Sequence, residues 1–316
     1  MAKLLWKDSE RYPRLTRLGQ RFEAALMRLF WWCMARFSPP KASELGARFF
    51  AWLGPRSAKH RHVLANLRMV CPECDESRIR SLALGVWRNL GSMLAEYPHL
   101  RALVGKTGEP AYEIVWQGIS PDHLADGRPR IFVAAHLGNI YFSAAALEKL
   151  GVKLGLVYSP LTNSFLDKLV VRYVTGAIES VLISKYNATR AMLKTLRKGH
   201  SVGLHVDVRV DGGDLFPLLG TPATTTPAPA FLSVKTGVEI IPIRTERLPG
   251  ARFRVTLFAP LPSAPEGCSD KEAVRLLTEH MNQVIGGLIR EHPDQWMCTK
   301  RRWPKPAMRE RGAYSG

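Results

Sequence analysis

The stretch Arg130-Ile131-Phe132-Val133-Ala134-Ala135-His136-Leu137-Gly138-Asn139-Ile140-Tyr141 constrains the fold more than any other part of the chain. A short, continuous apolar run reads as a strand buried on both faces. This one delivers a histidine to a glycine-containing turn. Ala144, Leu147 and Leu150 then recur at helical spacing, so a helix follows the turn. In open α/β sheets ligands collect beyond the carboxyl ends of the strands, beside helix N-termini with free N–H groups. His136 stands at such a point, where a neutral imidazole can take a proton from an alcohol. A structural, hydrogen-bonded histidine fits the same position.

The texture repeats downstream. Residues 131–135, 153–158, 180–183, 201–206 and 238–243 read as strands, with helical patterns between the first four. That alternation predicts a mainly parallel sheet with crossover helices. Residues 252–258 alternate arginine with apolar side chains after Pro249-Gly250 and read as a hairpin partner at a sheet edge. Residues 270–292 form one long amphipathic helix. Upstream of Gly105 the pattern is helical from Met1 onward, broken at Pro39-Pro40, Pro55 and Pro72. Residues 77–103 continue as helix, with Leu82, Val86, Leu90, Met93 and Leu94 as the buried stripe. The expected class is α/β, a mainly parallel mixed sheet flanked by helices and preceded by an N-terminal helical region. The boundary falls between 1–105 and 106–316, and no low-complexity linker separates the two, so one integrated domain is expected.

Charge narrows the partners. The 316 residues carry Lys+Arg 45 against Asp+Glu 27, a formal net charge of +18. Such a balance calls for an anionic partner: nucleic acid, acidic lipid or an acidic carrier protein. No nucleic-acid-binding motif is present, which argues against the first. Residues 15–37 are the apolar concentration of the chain, but Arg28 and Arg36 interrupt it, short of the about 20 apolar residues of a membrane span. Trp31 and Trp32 flanked by arginines suit a helix lying in a membrane interface; packing on the rest of the protein is the alternative. In residues 57–70, Lys59, His60, Arg61, His62 and Arg68 surround Val63, Leu64 and Leu67, giving one basic face that is either solvated or binds phosphate. Only Cys71 and Cys74 of the five cysteines lie close together, a pattern for a reducing compartment and a weak metal signal.

Three further features accompany His136. Asp207 follows a predicted strand in Val206-Asp207-Val208-Arg209, on the same sheet edge, where it orients a base, holds a loop or caps the next segment. Thr224 and Thr225 lie in the run from Gly220 to Pro229 that leads into a helix from Ala230; they bind phosphate or a carbonyl oxygen, or serve as N-caps. Lys300-Arg301-Arg302 with Trp303 suits an anionic substrate or lipid headgroup.

Taken in order, these residues resemble the bacterial lipid A biosynthesis (late) acyltransferases, within the wider lysophospholipid acyltransferase superfamily. The likeness rests on His136-Leu137-Gly138-Asn139, Asp207, Leu219-Gly220-x-Pro222-Ala223 with its threonines, and Gln295-Trp296-Met297 followed by Lys300-Arg301-Arg302-Trp303. Upstream, Arg61-x-x-x-x-Asn66-Leu67, Cys71-Pro72 and Leu90-Gly91-x-x-x-Ala95-Glu96 fall in the same order, so it runs from about Arg11 to Pro306. The resemblance implies an enzyme at the cytoplasmic face of the inner membrane that moves a fatty acyl chain from acyl carrier protein to a hydroxyl of a lipid A precursor or related lipid. It implies no metal and no bound organic cofactor. Under it, Arg61, Arg68, Arg172, Arg209, Arg301 and Arg302 are candidates for contacts to the anionic lipid or carrier.

The chain departs from the resemblance at one important place. The family signature is His-x4-Asp/Glu, and the acidic position falls on Tyr141. A carboxylate there would orient the imidazole and stabilise its charged form; Tyr141, a third catalytic candidate beside His136 and Asp207, is neutral near pH 7 and as a hydrogen-bond partner orients the ring without stabilising its charge as well. Two readings follow: an active acyltransferase in which Asp207, or less directly Glu96, replaces the carboxylate, or a catalytically impaired homologue that still binds lipid or carrier protein. Ala228, where the family commonly has glycine, is a smaller departure.

Overall fold

The computed structural model describes residues 13–314. The helical reading of residues 1–12 and the start of the resemblance at Arg11 lie outside the described residues. The elements are α1 (Pro13–Met34), α2 (Pro39–Leu53), α3 (His60–Val70), α4 (Glu76–Glu96), α5 (Leu100–Leu103), β1 (Tyr112–Gln117), α6 (Asp122–Ala125), β2 (Ile131–Ala134), α7 (Tyr141–Lys149), β3 (Leu154–Tyr158), α8 (Ser164–Ala177), β4 (Val181–Ser184), α9 (Ala188–Arg197), β5 (Ser201–His205), β6 (Leu215–Leu218), β7 (Thr221–Thr224), α10 (Ala228–Thr236), β8 (Ile240–Leu248), β9 (Arg252–Phe258), α11 (Asp270–Glu291) and α12 (Lys305–Glu310).

A seven-stranded sheet runs β1-β9-β8-β2-β5-β3-β4, and β6 pairs with β7 in a separate hairpin. Only the β8–β9 pairing in the large sheet is antiparallel. The sheet is therefore mainly parallel and helix-flanked, and β2, with all four residues buried, sits at its centre. Side chains alternate between the two faces. On one face Ile131, Val133, Val202 and Leu204 pack with Val63, Leu67, Val86, Met281 and Ile285 from α3, α4 and α11. On the other, Phe132, Ala134, Leu156 and Ile241 pack with Phe142, Leu147, Leu166 and Val174 from α7 and α8.

Local chemistry sets the helix starts. Asp75 caps α4 by accepting from Arg78 N, Asn163 caps α8, and Ser269 caps α11 by accepting from Glu272 N. α2 crosses α4 at a glycine pair: a Cβ on Gly46 would stand 2.4 Å from Gly91 O, and one on Gly91 would stand 2.2 Å from Gly46 O. Only two glycines allow that approach.

Three expectations need correction. Residues 252–258 do form a hairpin partner, but not an edge: β9 pairs on its far side with β1, which the sequence reading left out. The helix expected over 77–103 ends at Glu96, because Pro98 brings a 3₁₀ turn before α5. α10 starts at Ala228, not Ala230, with Pro227 and Pro229 around its first turn. No helix among the described residues is long and apolar enough to cross a membrane. Along α1, Leu15, Leu18, Phe22, Leu26, Leu29 and Trp32 are instead exposed at helical spacing, while Trp31 on the opposite side is buried and donates its indole N–H to Leu94 O at 2.8 Å.

Candidate active site

β2 and β5 are parallel neighbours with Ala134 opposite His205, and the ladder continues through Val206 N to Ala134 O at 3.0 Å. Two residues further along each chain, His136 comes beside Asp207. Asp207 Oδ1 lies 2.7 Å from His136 Nδ1, and Oδ2 accepts the His136 backbone N–H at 3.1 Å. One carboxylate thus holds the ring and its backbone, leaving Nε2 as the nitrogen free to meet a substrate. Asp207 is buried and His136 is partly open, with 28% of its side-chain surface exposed.

The turn after His136 is fixed from several directions. Gly138 adopts φ 57, and a Cβ there would stand 2.7 Å from Thr245 O, so this position requires glycine. Asn89 Nδ2 donates to Gly138 O at 3.0 Å and to Gln295 O at 2.7 Å. Asn139 Nδ2 donates to Glu96 Oε2 at 2.9 Å, and Glu96, fully buried, is paired with Arg247. The C-terminal tail closes over the same turn. Met297 N donates to His136 O at 2.9 Å, and Trp296 Nε1 donates to Asp207 Oδ2 at 2.7 Å.

Electrostatics follow from this geometry. Burial opposes a charged His136, but the charge and hydrogen bond of Asp207 outweigh it, so the His136 pKa is raised from its ordinary value; Lys300 acts in the lowering direction. Burial would raise Asp207, yet the charge of His136 and the bonds from His136 and Trp296 hold its carboxyl well below the usual range. A second imidazole, His205, has its ring centroid 4.4 Å from that of His136. Burial, then the adjacent His136, pushes its pKa down to about 3, so it is neutral. The sequence reading passed over His205, although the two-residue period of a strand puts it on the same face as Asp207.

Tyr141 takes no part in this pair. Its hydroxyl hydrogen-bonds Tyr97 Oη at 2.9 Å at the start of α7. Glu96 is likewise committed, to Arg247, Asn139 and Ser43. Arg302 and Trp303 are buried, not presented to a headgroup. Arg302 Nη1 donates to Thr224 O and Nη2 to Thr225 Oγ1, both at 2.7 Å, and Thr225 also accepts from Asn282 at 3.0 Å. Thr225 and Arg302 therefore tie the tail to the β6–β7 hairpin. Arg68 pairs with Glu76 at 2.7 Å and Arg209 with Asp211 at 2.6 Å. Arg61 and Arg172 are exposed and Arg301 is half-buried. Cys71, Glu73 and Cys74 bring ligand atoms within 4.8 Å of one another, and burial, then Cys74, pushes the Cys71 thiol up to about 11. Beneath α7 a cavity of about 10 Å³, lined by Phe132, Ala134, Leu147, Leu156, His205 and Ile243 among others, has room for roughly one water.

Residues 13–305 match the family model described as bacterial lipid A biosynthesis acyltransferase. The chain belongs to this family. It is an acyltransferase of lipid, and the His136–Asp207 pair lies within the matched region. The crystal structure of the 1-acyl-sn-glycerophosphate (LPA) acyltransferase PlsC from Thermotoga maritima is similar at 14% identity, over 88% of this chain and 99% of that one, with a TM-score of 0.36. The comparison with curated proteins gives no match.

Proposed function

We propose that the protein transfers a fatty acyl chain from acyl carrier protein to a hydroxyl of a lipid A precursor or a related glycolipid or lysolipid. The observation that carries this reading is the 2.7 Å contact between His136 Nδ1 and Asp207. With Nδ1–H bound to the carboxylate, His136 Nε2 is an acceptor and takes the proton of the acceptor hydroxyl as its oxygen attacks the thioester carbonyl. The C–S bond then breaks, the acyl group stays on the acceptor oxygen as an ester, and the proton passes from His136 to the departing thiolate. Asp207 stabilises the imidazolium between these steps, the role the family signature gives to a carboxylate five residues after the histidine, where this chain has Tyr141. A carboxylate on the imidazole favours an active enzyme over an impaired homologue.

The membrane side of the proposal rests on α1. Leu18, Phe22 and Trp32 are 63%, 60% and 57% exposed on one stripe, and at 100° per residue Arg14, Arg17, Arg21 and Arg28 flank it. A helix so patterned lies in a bilayer interface with its arginines at lipid phosphates. The net charge of +18 favours an acidic carrier and an anionic membrane surface, and we assign the site to the cytoplasmic face of the inner membrane. The test is turnover of a labelled acyl carrier thioester by the purified full chain in detergent, with lipid A precursors and lysolipids as acceptors. Transfer that disappears in His136→Ala supports the reading; no transfer to any acceptor overturns it.

A further inference from the structure

Away from the dyad, α3 and the tail assemble a cluster of unbalanced positive charge. Asn66 Nδ2 donates to Cys298 O at 2.8 Å and Lys300 O at 2.7 Å, and Asn66 Oδ1 accepts from Arg302 N at 3.0 Å, which pins the tail along α3. One helical turn before Asn66 is His62, whose ring stacks on Tyr314 with centroids 5.9 Å apart. Burial is the first cause that disfavours protonation of His62, and the nearby charges of Arg61, Lys59, Arg301 and Lys305 add to it; burial, then the charge of Lys300, acts in the same direction on Lys59. Among the described residues none of these six side chains has a carboxylate partner. Arg68, Arg130, Arg247, Arg254 and Arg275 are ion-paired, and what sets the α3–tail group apart is that its unpaired cations stand together.

Two polar atoms in the cluster, His62 Nδ1 and Arg301 Nε, are buried without a hydrogen-bond partner from the protein, and Nε of the neighbouring Arg302 is a third. Folded chains rarely leave buried polar atoms unpaired, and like charges held together raise the energy unless an anion sits among them. The position also matters. Lys300 is near enough to His136 to act on its protonation, and the tail that carries Lys300 and Arg301 bonds His136 O through Met297 N.

We propose that Lys59, Arg61, His62, Lys300, Arg301 and Lys305 form a subsite for a phosphate ester of the substrate. Building on the acyltransferase reading, it holds the phosphorylated end of one substrate while His136 acts on the reacting oxygen. Arginine and lysine suit this ligand because the guanidinium fork matches two phosphate oxygens and the ammonium groups add point charge. The phosphate comes either from the lipid acceptor or from the phosphodiester of the carrier's prosthetic arm, and kinetics separate the two.

The first test needs no turnover. Inorganic phosphate, titrated at constant ionic strength into the full chain in detergent, raises the melting temperature of the wild type and not of Arg61→Gln/Arg301→Gln. Equal shifts in both overturn the subsite. The second test compares a phosphorylated acceptor with its dephosphorylated form. Arg301→Gln raises KM about tenfold or more, the effect of one lost charge-assisted hydrogen bond, with a much smaller change in kcat, and Arg301→Lys recovers part of it. A rise confined to the phosphorylated acceptor assigns the phosphate to the lipid; a rise confined to the thioester donor assigns it to the carrier arm. Unchanged KM for both substrates overturns the subsite. A wild type that shows the phosphate-dependent shift but transfers no acyl group overturns the acyltransferase reading and leaves the anion site standing.

Discussion

Trp296 Nε1 donates to Asp207 Oδ2 at 2.7 Å, so a tryptophan from the C-terminal tail holds the carboxylate that holds the His136 ring. The sheet alone does not complete the pair. Asp207 accepts from the His136 ring, the His136 backbone and the Trp296 indole, and all three bonds favour its ionised form. Asp207→Asn keeps the size of the side chain but loses the charge and disturbs the imidazole tautomer. By analogy with Ser-His-Asp sites, turnover is expected to fall roughly 10⁴-fold. Steady-state kcat with circular dichroism as the folding control checks this; activity near wild type would remove Asp207 from the mechanism.

The pH profile carries the same information. As a base His136 must be neutral, and its pKa is raised by Asp207 against the opposing effect of burial, so the rate is expected to climb with pH through an inflection above 6.5. Residual activity of Asp207→Asn, where measurable, has its inflection at lower pH.

Stability responds to two histidines with opposite sign. His136 has a raised pKa: its contribution is complete below the unfolded value of 6.5 and is lost as pH rises through the folded value. His205 has a depressed one. Between 6.5 and about 3 the unfolded chain binds a proton that the folded His205 refuses, so stability falls on acidification across that window. Urea midpoints measured from pH 7 to pH 4 should decline less steeply in His205→Phe than in the wild type.

Tyr141→Phe separates the signature position from the chemistry. Its hydroxyl serves Tyr97, not His136, so turnover is expected to stay near wild type while stability drops by about 1 kcal/mol for the lost hydrogen bond. A large loss of kcat without unfolding contradicts the assignment of the orienting role to Asp207.

Gly138→Ala tests the turn. A left-handed φ costs an alanine about 1–2 kcal/mol before its Cβ meets Thr245 O, so a lower melting temperature and loss of acyl transfer are expected together.

The α1 stripe predicts vesicle binding. Leu18→Glu with Phe22→Glu removes two exposed apolar side chains, each contributing about 1.5–3 kcal/mol when fully buried. Cosedimentation with anionic vesicles should fall sharply with the helical circular dichroism unchanged.

The strand positions near 131, 154, 181, 201 and 240 were legible because each is a short apolar run between helical patterns, and such runs are dictated locally. β1 was not, because Tyr112-Glu113-Ile114-Val115-Trp116-Gln117 mixes charge with apolar residues and gains its place only by pairing with β9. The basic tail misled for a related reason. Lys300-Arg301-Arg302-Trp303 looks like a surface motif, yet Arg302 finds Thr224 and Thr225 inside the fold and Trp303 is buried. Hydropathy does not record which charged side chain will meet enough hydrogen-bond partners to be buried.

By itself the sequence determined the alternation of strands and helices, the placing of His136 and Asp207 at two strand ends, and an excess of positive charge, since all three are set by local pattern or composition. Tertiary structure alone decided that these ends are neighbours, that Tyr141 turns to Tyr97, that His205 lies against His136, and that the tail returns to clamp Asp207 and face α3. Strand order and chain return depend on contacts between residues far apart in sequence, and no local period encodes them.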